Sequence, residues 1–357
     1  MSIQFSAPGR YLQGPGLLSR LAEHTAPLGD RALVLISPGG YRRMGASVEA
    51  SFAKRGTAAV MDQFQGEPSL AQIHRLQQKL EEHRCNLVIG IGGGKILDAA
   101  KAAAHLARLP VTVCPTAAST DAPCTALSVL YTDEGLLDRY LPLSSNPQMV
   151  VMDTAVIAAS PVRLTVSGMG DALSTWFEAR AAACTKPVSA AALALAHRCW
   201  QVLQADGAAA KRDLERGVLS PAAERIVGAN TLLSGIGFGS GGLAAAHAIH
   251  NGLITLEECR SRCSHGEIVA FSTVVQLFLE DGPAAEREEV FSFLAQVGLP
   301  RSLEQLGISP CGETGLRQAA EEACSAGSPI HNMPFPVTPQ AVYQALLAAD
   351  GEGRRHS

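Results

Sequence analysis

The stretch N-L-V-I-G-I-G-G-G-K-I-L-D-A-A-K, from Asn86 to Lys101, contains the features that decide the fold. Its first part, residues 86–91, is a short apolar run that is typical of a buried parallel strand. Three glycines and a lysine follow, and then an Ala-rich segment over residues 96–106 that favours a helix. The order predicts a strand that passes through a glycine loop directly into a helix.

The glycine loop has the composition of an anion-binding turn. Consecutive glycines at Gly92, Gly93 and Gly94, followed by Lys95, let backbone N–H groups approach an anion closely, and the N-terminus of the next helix favours negative charge. Asp98 follows one turn later and is a further candidate for cofactor binding. The spacing is that of neither the Rossmann fingerprint nor a P-loop. We favour the pyrophosphate of a dinucleotide as the ligand over a tight turn that binds nothing.

Strand and helix patterns alternate on both sides of this loop and then stop. Further strands are predicted at 32–37, 58–64, 110–114 and 149–153, with helices at 48–55 and 69–83. Beyond Ser160 extended β-branched runs all but vanish, and Ala/Leu-rich segments predict helices at 170–183, 190–204, 221–234, 242–253, 267–279, 284–297 and 340–349. We predict an α/β protein, with a doubly wound parallel-sheet domain at 1–160 that binds a dinucleotide and an all-α domain at 161–357.

Composition excludes several classes of protein. The chain has 357 residues and a mildly negative net charge of −4, and nothing in its composition suggests a nucleic-acid or membrane-surface partner. We expect no signal peptide and no membrane span. Nine cysteines without a paired framework indicate reduced thiols and a cytoplasmic location, although Cys259 and Cys263 are spaced closely enough for a soft-metal or redox site.

A second motif carries candidate metal ligands. His247 and His250 lie three residues apart on an Ala-rich segment, and His265 follows after a chain reversal. With Asp171 as the carboxylate, two histidines would complete an open divalent-metal site with a position left for substrate. The H-x-x-H spacing alone is weak evidence for a metal site, because most such pairs are surface or hydrogen-bonded core histidines.

The segment from Thr116 to Tyr131 follows the predicted strand at 110–114. Ligands of open α/β sheets collect at the carboxyl ends of strands, so its small hydroxyl residues are candidates to line a cofactor site. Asp121 within it would face substrate or accept a proton, or would cap a turn.

Six blocks of the chain together resemble the glycerol dehydrogenase branch of the iron-containing alcohol dehydrogenase superfamily. They are G-G-G-K-x-x-D-x-x-K, P-T-A-A-S-T-D-A-P-C-T-A-L-S-V-L-Y-T-D-E-G, G-M-G-D-A-L-S-T-W-F-E-A-R-A, G-G-L-A-A-A-H-A-I-H-N-G-L, H-G-E-x-V-A-F and I-H-N-M-P. The resemblance runs from residue 8 to the last predicted helix. It implies NAD-linked, zinc-dependent oxidation of a small polyol such as glycerol, an active site between the two domains, and a homo-octamer.

The resemblance also implies roles for individual residues. The metal would be held by Asp171, His247 and His265, with His250 behind them or on a proton path and Asp121 beside the polyol. The remaining residues would bind the cofactor: Gly94, Lys95, Thr116 and Ser119 at its phosphates and ribose, and Thr125, Leu127 and Tyr131 at its nicotinamide side.

Three departures from the family pattern stand out. Ser37, at the end of the first predicted strand, replaces the usual Asp that binds the adenosine ribose, and Arg42 and Arg43 follow it. Loss of that carboxylate weakens discrimination against a 2′-phosphate, so NAD is favoured and NADP stays open. Thr125 replaces Ser, and the insert at residues 256–264 replaces a His/Tyr-rich stretch.

Two other kinds of function use the same scaffold. A sugar-phosphate cyclase or a glycerol-1-phosphate dehydrogenase would need a cationic pocket for the substrate phosphate, and only Arg260 and Arg262 lie near the metal motifs. A non-catalytic binding protein on a decayed enzyme scaffold would not need to keep all three candidate ligands. We therefore predict a polyol dehydrogenase.

Overall fold

A computed structural model of the chain describes residues 3–308 and 313–356. Contacts group these residues into two compact units. One contains Ser6–Ala118 and Ala122–Ser160, and the other contains the described residues from Pro161 onward together with residues 3–5 and Ser119–Asp121.

The first unit is built on a six-stranded, wholly parallel sheet. Its strands are β1 Tyr11–Gly14, β2 Arg31–Ile36, β3 Ala58–Gln63, β4 Leu87–Gly92, β5 Val111–Pro115 and β8 Met149–Asp153. They lie in the order β1-β8-β5-β4-β2-β3. Strands β4, β5 and β8 are buried along their whole length, as their apolar composition requires. The predicted α/β fold is therefore confirmed, together with all five predicted strands.

Helices connect the strands of this sheet and follow the sequence pattern closely. They are α1 Leu21–Thr25, α2 Pro38–Gly40, α3 Ala46–Arg55, α4 Leu70–Glu82, α5 Gly94–Ala107 and α6 Thr154–Ala158, with a π-turn at Tyr41–Gly45. Helix α4 begins where Ser69 caps it, its hydroxyl accepting from the Gln72 N–H at 3.3 Å. Its residues Ile73, Leu76 and Leu80 are buried on one face.

An antiparallel hairpin was not predicted. It consists of β6 Leu127–Tyr131 and β7 Leu137–Pro142, joined by a turn containing Gly135. Strand β6 alternates buried and half-buried residues, whereas β7 is largely exposed. The exposed strand lacks an apolar run, and this is why the hairpin escaped prediction.

The second unit is helical among its described residues. It contains α7 Val162–Ala182, α8 Ala190–Glu215, α9 Pro221–Gly228, α10 Ser234–Gly241, α11 Ala245–Leu253, α12 Glu257–Arg262, α13 His265–Leu279, α14 Ala284–Val297, α15 Glu313–Ala323 and α16 Pro339–Arg355, with a π-turn at Ala229–Leu233. Helix α14 has the predicted bounds. Helices α12 and α15 were not predicted, because their charged residues interrupt the apolar pattern; α12 lies within the insert at 256–264.

Two sequence expectations about membrane spans and thiols can be compared with these helices. No single helix within residues 3–308 and 313–356 has the length and apolar composition of a membrane span; Pro221–Gly241 and Ala245–Leu253 reach it only as a pair bent by 103°. None of the eight described cysteines forms a disulfide. Burial raises the pKa of the Cys259 thiol to about 12, which disfavours the thiolate that a metal or redox site would use.

Candidate metal centre and nucleotide loop

Asp171, His247 and His265 come together in the helical unit. One ligand atom from each lies within 4.8 Å of the others. The Nε2 atoms of His265 and His247 are 3.2 and 3.5 Å from the Asp171 Oδ1 atom. In the part of the chain that the structure describes, this is the one group of three or more His, Cys, Asp or Glu side chains that close. The donor set of one carboxylate and two imidazoles, with further positions open, suits a divalent cation such as zinc.

Three helices supply these side chains, and two of them touch at their backbones. Asp171 lies in the middle of α7, His247 in the first turn of α11, and His265 begins α13. A Cβ atom on Gly266 would lie 1.8 Å from the Ser167 carbonyl oxygen, and one on Gly170 would lie 2.2 Å from the Gly266 oxygen. Glycine at both positions therefore lets α7 and α13 approach closely enough for their ligands to meet.

The start of α13 is fixed by a cap and an ion pair. The Glu267 carboxylate accepts from the Ser264 N–H at 2.7 Å, forming a capping box with Ser264. Arg163 from α7 donates to both oxygens of the same carboxylate at 2.8 and 2.9 Å. These bonds hold the helix end two residues from His265.

The electrostatics of the centre favour an ionised carboxylate. Burial opposes ionisation of Asp171, but the neighbouring His265 and His247 hold the pKa of its carboxyl well below the usual range. Burial likewise opposes a charged His247, yet Glu178 and Asp171 keep the pKa of His247 well above normal. An incoming cation therefore meets a carboxylate and displaces a proton from His247.

His250 lies behind His265 rather than among the three converging side chains. Its Nε2 atom is 2.9 Å from the His265 Nδ1 atom, and its Nδ1 atom is 3.0 Å from the Asn251 side-chain oxygen. Burial, followed by the charges of His265 and His247, holds the pKa of His250 well below normal. A neutral His250 that donates to Asn251 accepts the His265 Nδ1–H, which leaves Nε2 of His265 to face Asp171.

Asp121 lies beside the metal ligands. Its backbone N–H donates to the Asp171 Oδ2 atom at 3.3 Å, and its own carboxylate accepts from the Ser234 hydroxyl at 3.2 Å. The side chain is half-buried. The structure therefore brings Asp121 to the predicted metal ligands.

Glu178 was missed by the sequence analysis. It lies two helical turns after Asp171 on α7, is fully buried, and its Oε2 atom is 2.6 Å from the His247 Nδ1 atom. The seven-residue spacing in D-A-L-S-T-W-F-E is a signal that this acid shares a helix face with Asp171.

The glycine loop of the α/β unit has the predicted strand-to-helix geometry. Gly92 ends β4, Gly93 caps α5, and Gly94 and Lys95 form its first turn. A Cβ atom on Gly92 would lie 2.6 Å from Ile96, whereas one on Gly93 or Gly94 would meet nothing within 4 Å. Space is thus open above the helix N-terminus, where first-turn N–H groups lack intrahelical acceptors, and a pyrophosphate fits this cradle. The Lys95 ammonium forms an ion pair with Glu67.

Other predicted cofactor residues lie beside the glycine loop, in or next to the hairpin and, for Ser119, in the helical unit. The Thr116 N–H donates to the Gly92 carbonyl at 3.1 Å. Thr125 is buried and donates to the Ala122 carbonyl at 3.0 Å, while Leu127 and Tyr131 form the two ends of β6. Ser119 belongs by its contacts to the helical unit.

The Asp98 carboxylate is engaged in an ion pair within the α/β unit. Its carboxylate forms an ion pair at 3.0 Å with the fully buried Lys101 ammonium, which also donates to the backbone carbonyls of Ala122 and Leu127. Burial raises the pKa of the Asp98 carboxyl despite that partner. Lys101 and Asp98 thus tie the hairpin to α5.

Ser37 lies at the carboxyl end of β2, where its hydroxyl accepts from the Gly40 N–H at 3.0 Å. The guanidinium nitrogens of Arg43 and Arg42 lie 3.5 and 3.7 Å from the position that a Cβ atom would take on Gly39. Neither guanidinium forms an ion pair with a carboxylate of the described residues. Both guanidinium groups are therefore available to bind a phosphate.

Comparisons with known proteins agree with this geometry. The chain matches the family described as iron-containing alcohol dehydrogenase over residues 8–154. It is 48% identical over 360 residues to a glycerol dehydrogenase of Escherichia coli O6:H1, covering 98% of this chain and 97% of the relative. The crystal structure of glycerol dehydrogenase from Schizosaccharomyces pombe is similar with a TM-score of 0.95 at 35% identity, covering 99% of this chain and 92% of that one. A probable glycerol dehydrogenase from Sinorhizobium meliloti is similar with a TM-score of 0.92 at 40% identity, covering 99% and 100%.

Proposed function

We propose that this chain, which belongs to the iron-containing alcohol dehydrogenase family, catalyses the reversible NAD-linked oxidation of glycerol to dihydroxyacetone and of related vicinal diols. Curated relatives at 46 to 48% identity over nearly the whole chain bear the name glycerol dehydrogenase. The observation that carries the proposal is the convergence of Asp171, His247 and His265 within 4.8 Å.

These three residues would hold one divalent ion, which we propose to be zinc. When bound, the ion supplies a Lewis acid that polarises an alcohol oxygen and lowers the pKa of the hydroxyl. Asp171 provides the negative charge of the site, and the two imidazoles leave coordination positions open to ligands from outside the protein. A substrate with two adjacent hydroxyl groups would suit such an open site better than a simple alcohol.

Asp121 is the residue that we assign to the substrate hydroxyl. Its carboxylate lies beside Asp171 and is already oriented by the Ser234 hydroxyl at 3.2 Å. Oxidation of a secondary alcohol removes a hydride from carbon, which the nicotinamide ring accepts, and a proton from oxygen. Asp121 would hydrogen-bond the hydroxyl or receive that proton. His250, whose Nε2 atom accepts from the His265 Nδ1–H at 2.9 Å, would orient that ligand or join a proton path.

The α/β unit would bind the nucleotide. The N–H groups at Gly93, Gly94 and Lys95 would face the pyrophosphate. Thr116 and Ser119 would contact phosphate and ribose, and Thr125, Leu127 and Tyr131 would line the nicotinamide side. NAD is the proposed cofactor, and Ser37 leaves room for NADP as a second one.

A phosphorylated substrate is not favoured. The cationic pocket that a sugar-phosphate cyclase or a glycerol-1-phosphate dehydrogenase requires would have to come from Arg260 and Arg262. Arg260 is paired with Glu257, which leaves Arg262 as the single cation of the two for such a pocket. Arg163, which donates to the Arg262 carbonyl, is engaged with Glu267. A non-catalytic binding protein is disfavoured because the candidate ligands and Asp121 lie together.

We also propose a cytoplasmic homo-octamer. The absence of a disulfide among the eight described cysteines suits a reducing compartment. Light scattering coupled to gel filtration would measure the assembly, and a mass other than about eight chains would contradict the octamer.

Initial rates test the catalytic proposal. The purified chain would be stripped with a chelator, reloaded with zinc, and assayed for NADH or NADPH with glycerol, 1,2-propanediol, 2,3-butanediol and 1-propanol. We expect zinc-dependent NADH formation with the three diols and much slower turnover of 1-propanol.

Two results would contradict the proposal. Full turnover of the stripped enzyme would remove the metal from the mechanism, and preference for a phosphorylated substrate such as glycerol 1-phosphate would favour the alternative.

A further inference from the structure

Glu178 is a fully buried acid without a role in the mechanism above. It lies on α7, seven residues after Asp171, and none of its surface is exposed. A buried carboxylate is costly unless hydrogen bonds satisfy it. Its Oε2 atom is 2.6 Å from Nδ1 of His247, which is the distance of a strong charge-assisted bond.

The other carboxylate oxygen of Glu178 caps the helix that carries His247. Oε1 accepts from the N–H groups of Ala244 at 2.8 Å and of His247 at 3.0 Å. Helix α11 begins in an Ala-rich segment, and its N-cap residue Ala244 has no side chain that can cap it. Gln276 on α13 supplies a further bond, accepting from the Ala246 N–H at 2.9 Å.

This arrangement decides which nitrogen of His247 is free. A carboxylate only accepts hydrogen bonds, so the Nδ1 atom of His247 must carry the hydrogen. The atom left to bind an ion is Nε2, which is the atom that faces Asp171 at 3.5 Å. Because Glu178 holds both the ring and the backbone of the same residue, the imidazole is fixed in rotation as well as in tautomer.

We infer that Glu178 is a positioning residue of the metal centre, which holds His247 in the tautomer and orientation that bind a divalent ion. The inference rests on the proposed function, because it concerns the same three-residue site. It adds an acid outside the ligand set whose removal weakens metal binding without removing any ligand.

Glu178→Gln tests the inference because the change conserves size. The amide offers one oxygen where the carboxylate offers two, and its NH₂ group faces donors. Zinc affinity would be measured by competition with a chromophoric chelator, and the visible spectrum of the cobalt-substituted protein would report ligand geometry. We expect zinc to bind about 10- to 100-fold more weakly, with an altered cobalt spectrum.

Gln276→Ala is the matched control. It removes a cap of the same helix, the bond to the Ala246 N–H, together with the Gln276 bonds to the Phe177 carbonyl and the Glu280 carboxylate, but does not touch His247. We expect its zinc affinity to stay within about threefold of wild type even where its melting temperature falls.

If Glu178→Gln does not fold, Glu178→Asp retains the charge near the helix N-terminus but draws the carboxylate away from Nδ1, and the same loss of affinity is expected.

The outcomes separate this inference from the proposed function. Wild-type zinc affinity and an unchanged cobalt spectrum in Glu178→Gln would overturn the inference and leave the proposed function intact. An equal loss in Gln276→Ala would overturn it too, because capping alone would then explain the effect. A wild-type chain that binds no divalent ion would instead refute the metal-dependent function.

Discussion

At the residue scale, the site depends on one negative charge. Asp171 is almost completely buried, and both converging imidazoles present Nε2 to its Oδ1 atom. A cation placed there gains the carboxylate charge in a setting where water screens it poorly. Without Asp171, the two imidazole ligands would offer the cation no negative charge.

Asp171→Asn should therefore abolish function while keeping the side-chain shape. We expect zinc affinity to fall by more than about 100-fold, beyond the loss that outer hydrogen-bond partners cause, and glycerol oxidation to fall with it. Chelator competition measures the first and NADH formation the second. Asp206→Asn, which breaks the surface ion pair with Arg225, is the control; similar behaviour of the two variants would contradict the assignment.

Ser37 should set the choice of cofactor. Ser37→Asp keeps the cap on Gly40, because Asp also accepts at a helix N-cap, and adds a charge that repels a 2′-phosphate. We expect NADP to bind at least about tenfold more weakly, with NAD affinity kept or improved, as followed by fluorescence titration. Ser47→Asp adds the same charge at an exposed position of α3. Equal effects on both nucleotides would contradict a direct role.

Individual residues differ in how far the sequence reveals them. His247, His265 and Asp171 were predicted because spacing and the resemblance marked them, and the structure brings them together. Glu178 was not predicted, because its partner is 69 residues away and a helical Glu normally faces solvent. The pairing of Lys95 with Glu67 likewise depends on a fold contact between distant segments.

At the element scale, the geometry of the site depends on how closely α7 and α13 approach. Gly170 and Gly266 are direct chain neighbours of Asp171 and His265, and each Cβ position is filled by the backbone of the facing helix. The distance between Asp171 and His265 therefore depends on glycine, which has no side chain, at positions 170 and 266.

Gly266→Ala should push these helices apart. A Cβ atom 1.8 Å from a carbonyl oxygen forces the backbone to move, and we expect a loss of about 1 to 3 kcal/mol in unfolding free energy together with weaker zinc binding. Gly351→Ala is the control, because it lies on α16 with nothing within 4 Å and should be stabilising by about 0.5 to 1 kcal/mol. Thermal melts and chelator competition measure both; unchanged zinc affinity in Gly266→Ala would contradict this account.

Elements were predictable where burial alone shapes the sequence. Strands β2, β4 and β8 each contain a continuous apolar run, and α14 is bounded by Pro283 and Gly298. Strand β1 is only half-buried, so its Tyr-Leu-Gln-Gly sequence carries no such pattern. Helix α11 was predicted to begin at residue 242 but begins at Ala245, because its caps come from other helices.

At the scale of the whole molecule, metal binding should stabilise the helical unit. The ligands lie on α7, α11 and α13, so an ion bound to the folded chain favours the folded state by mass action. At a zinc concentration 100 times Kd the gain is about 2.7 kcal/mol, and the melting temperature should rise by several degrees. Calorimetry with zinc and with chelator measures this.

His265→Ala is the control for that measurement. It removes one of the three ligands, so its melting temperature should no longer depend on zinc. A wild-type melting temperature that zinc does not change would contradict binding to the folded state, and an equal zinc response in the variant would place the ion elsewhere.

The most direct test of the central claim is the anomalous scattering of a crystal grown with zinc, recorded at the zinc edge. The account predicts one strong peak per chain, about 2.0 to 2.2 Å from an oxygen of Asp171 and from the Nε2 atoms of His247 and His265. A peak at other residues, or no peak at these three, would contradict it.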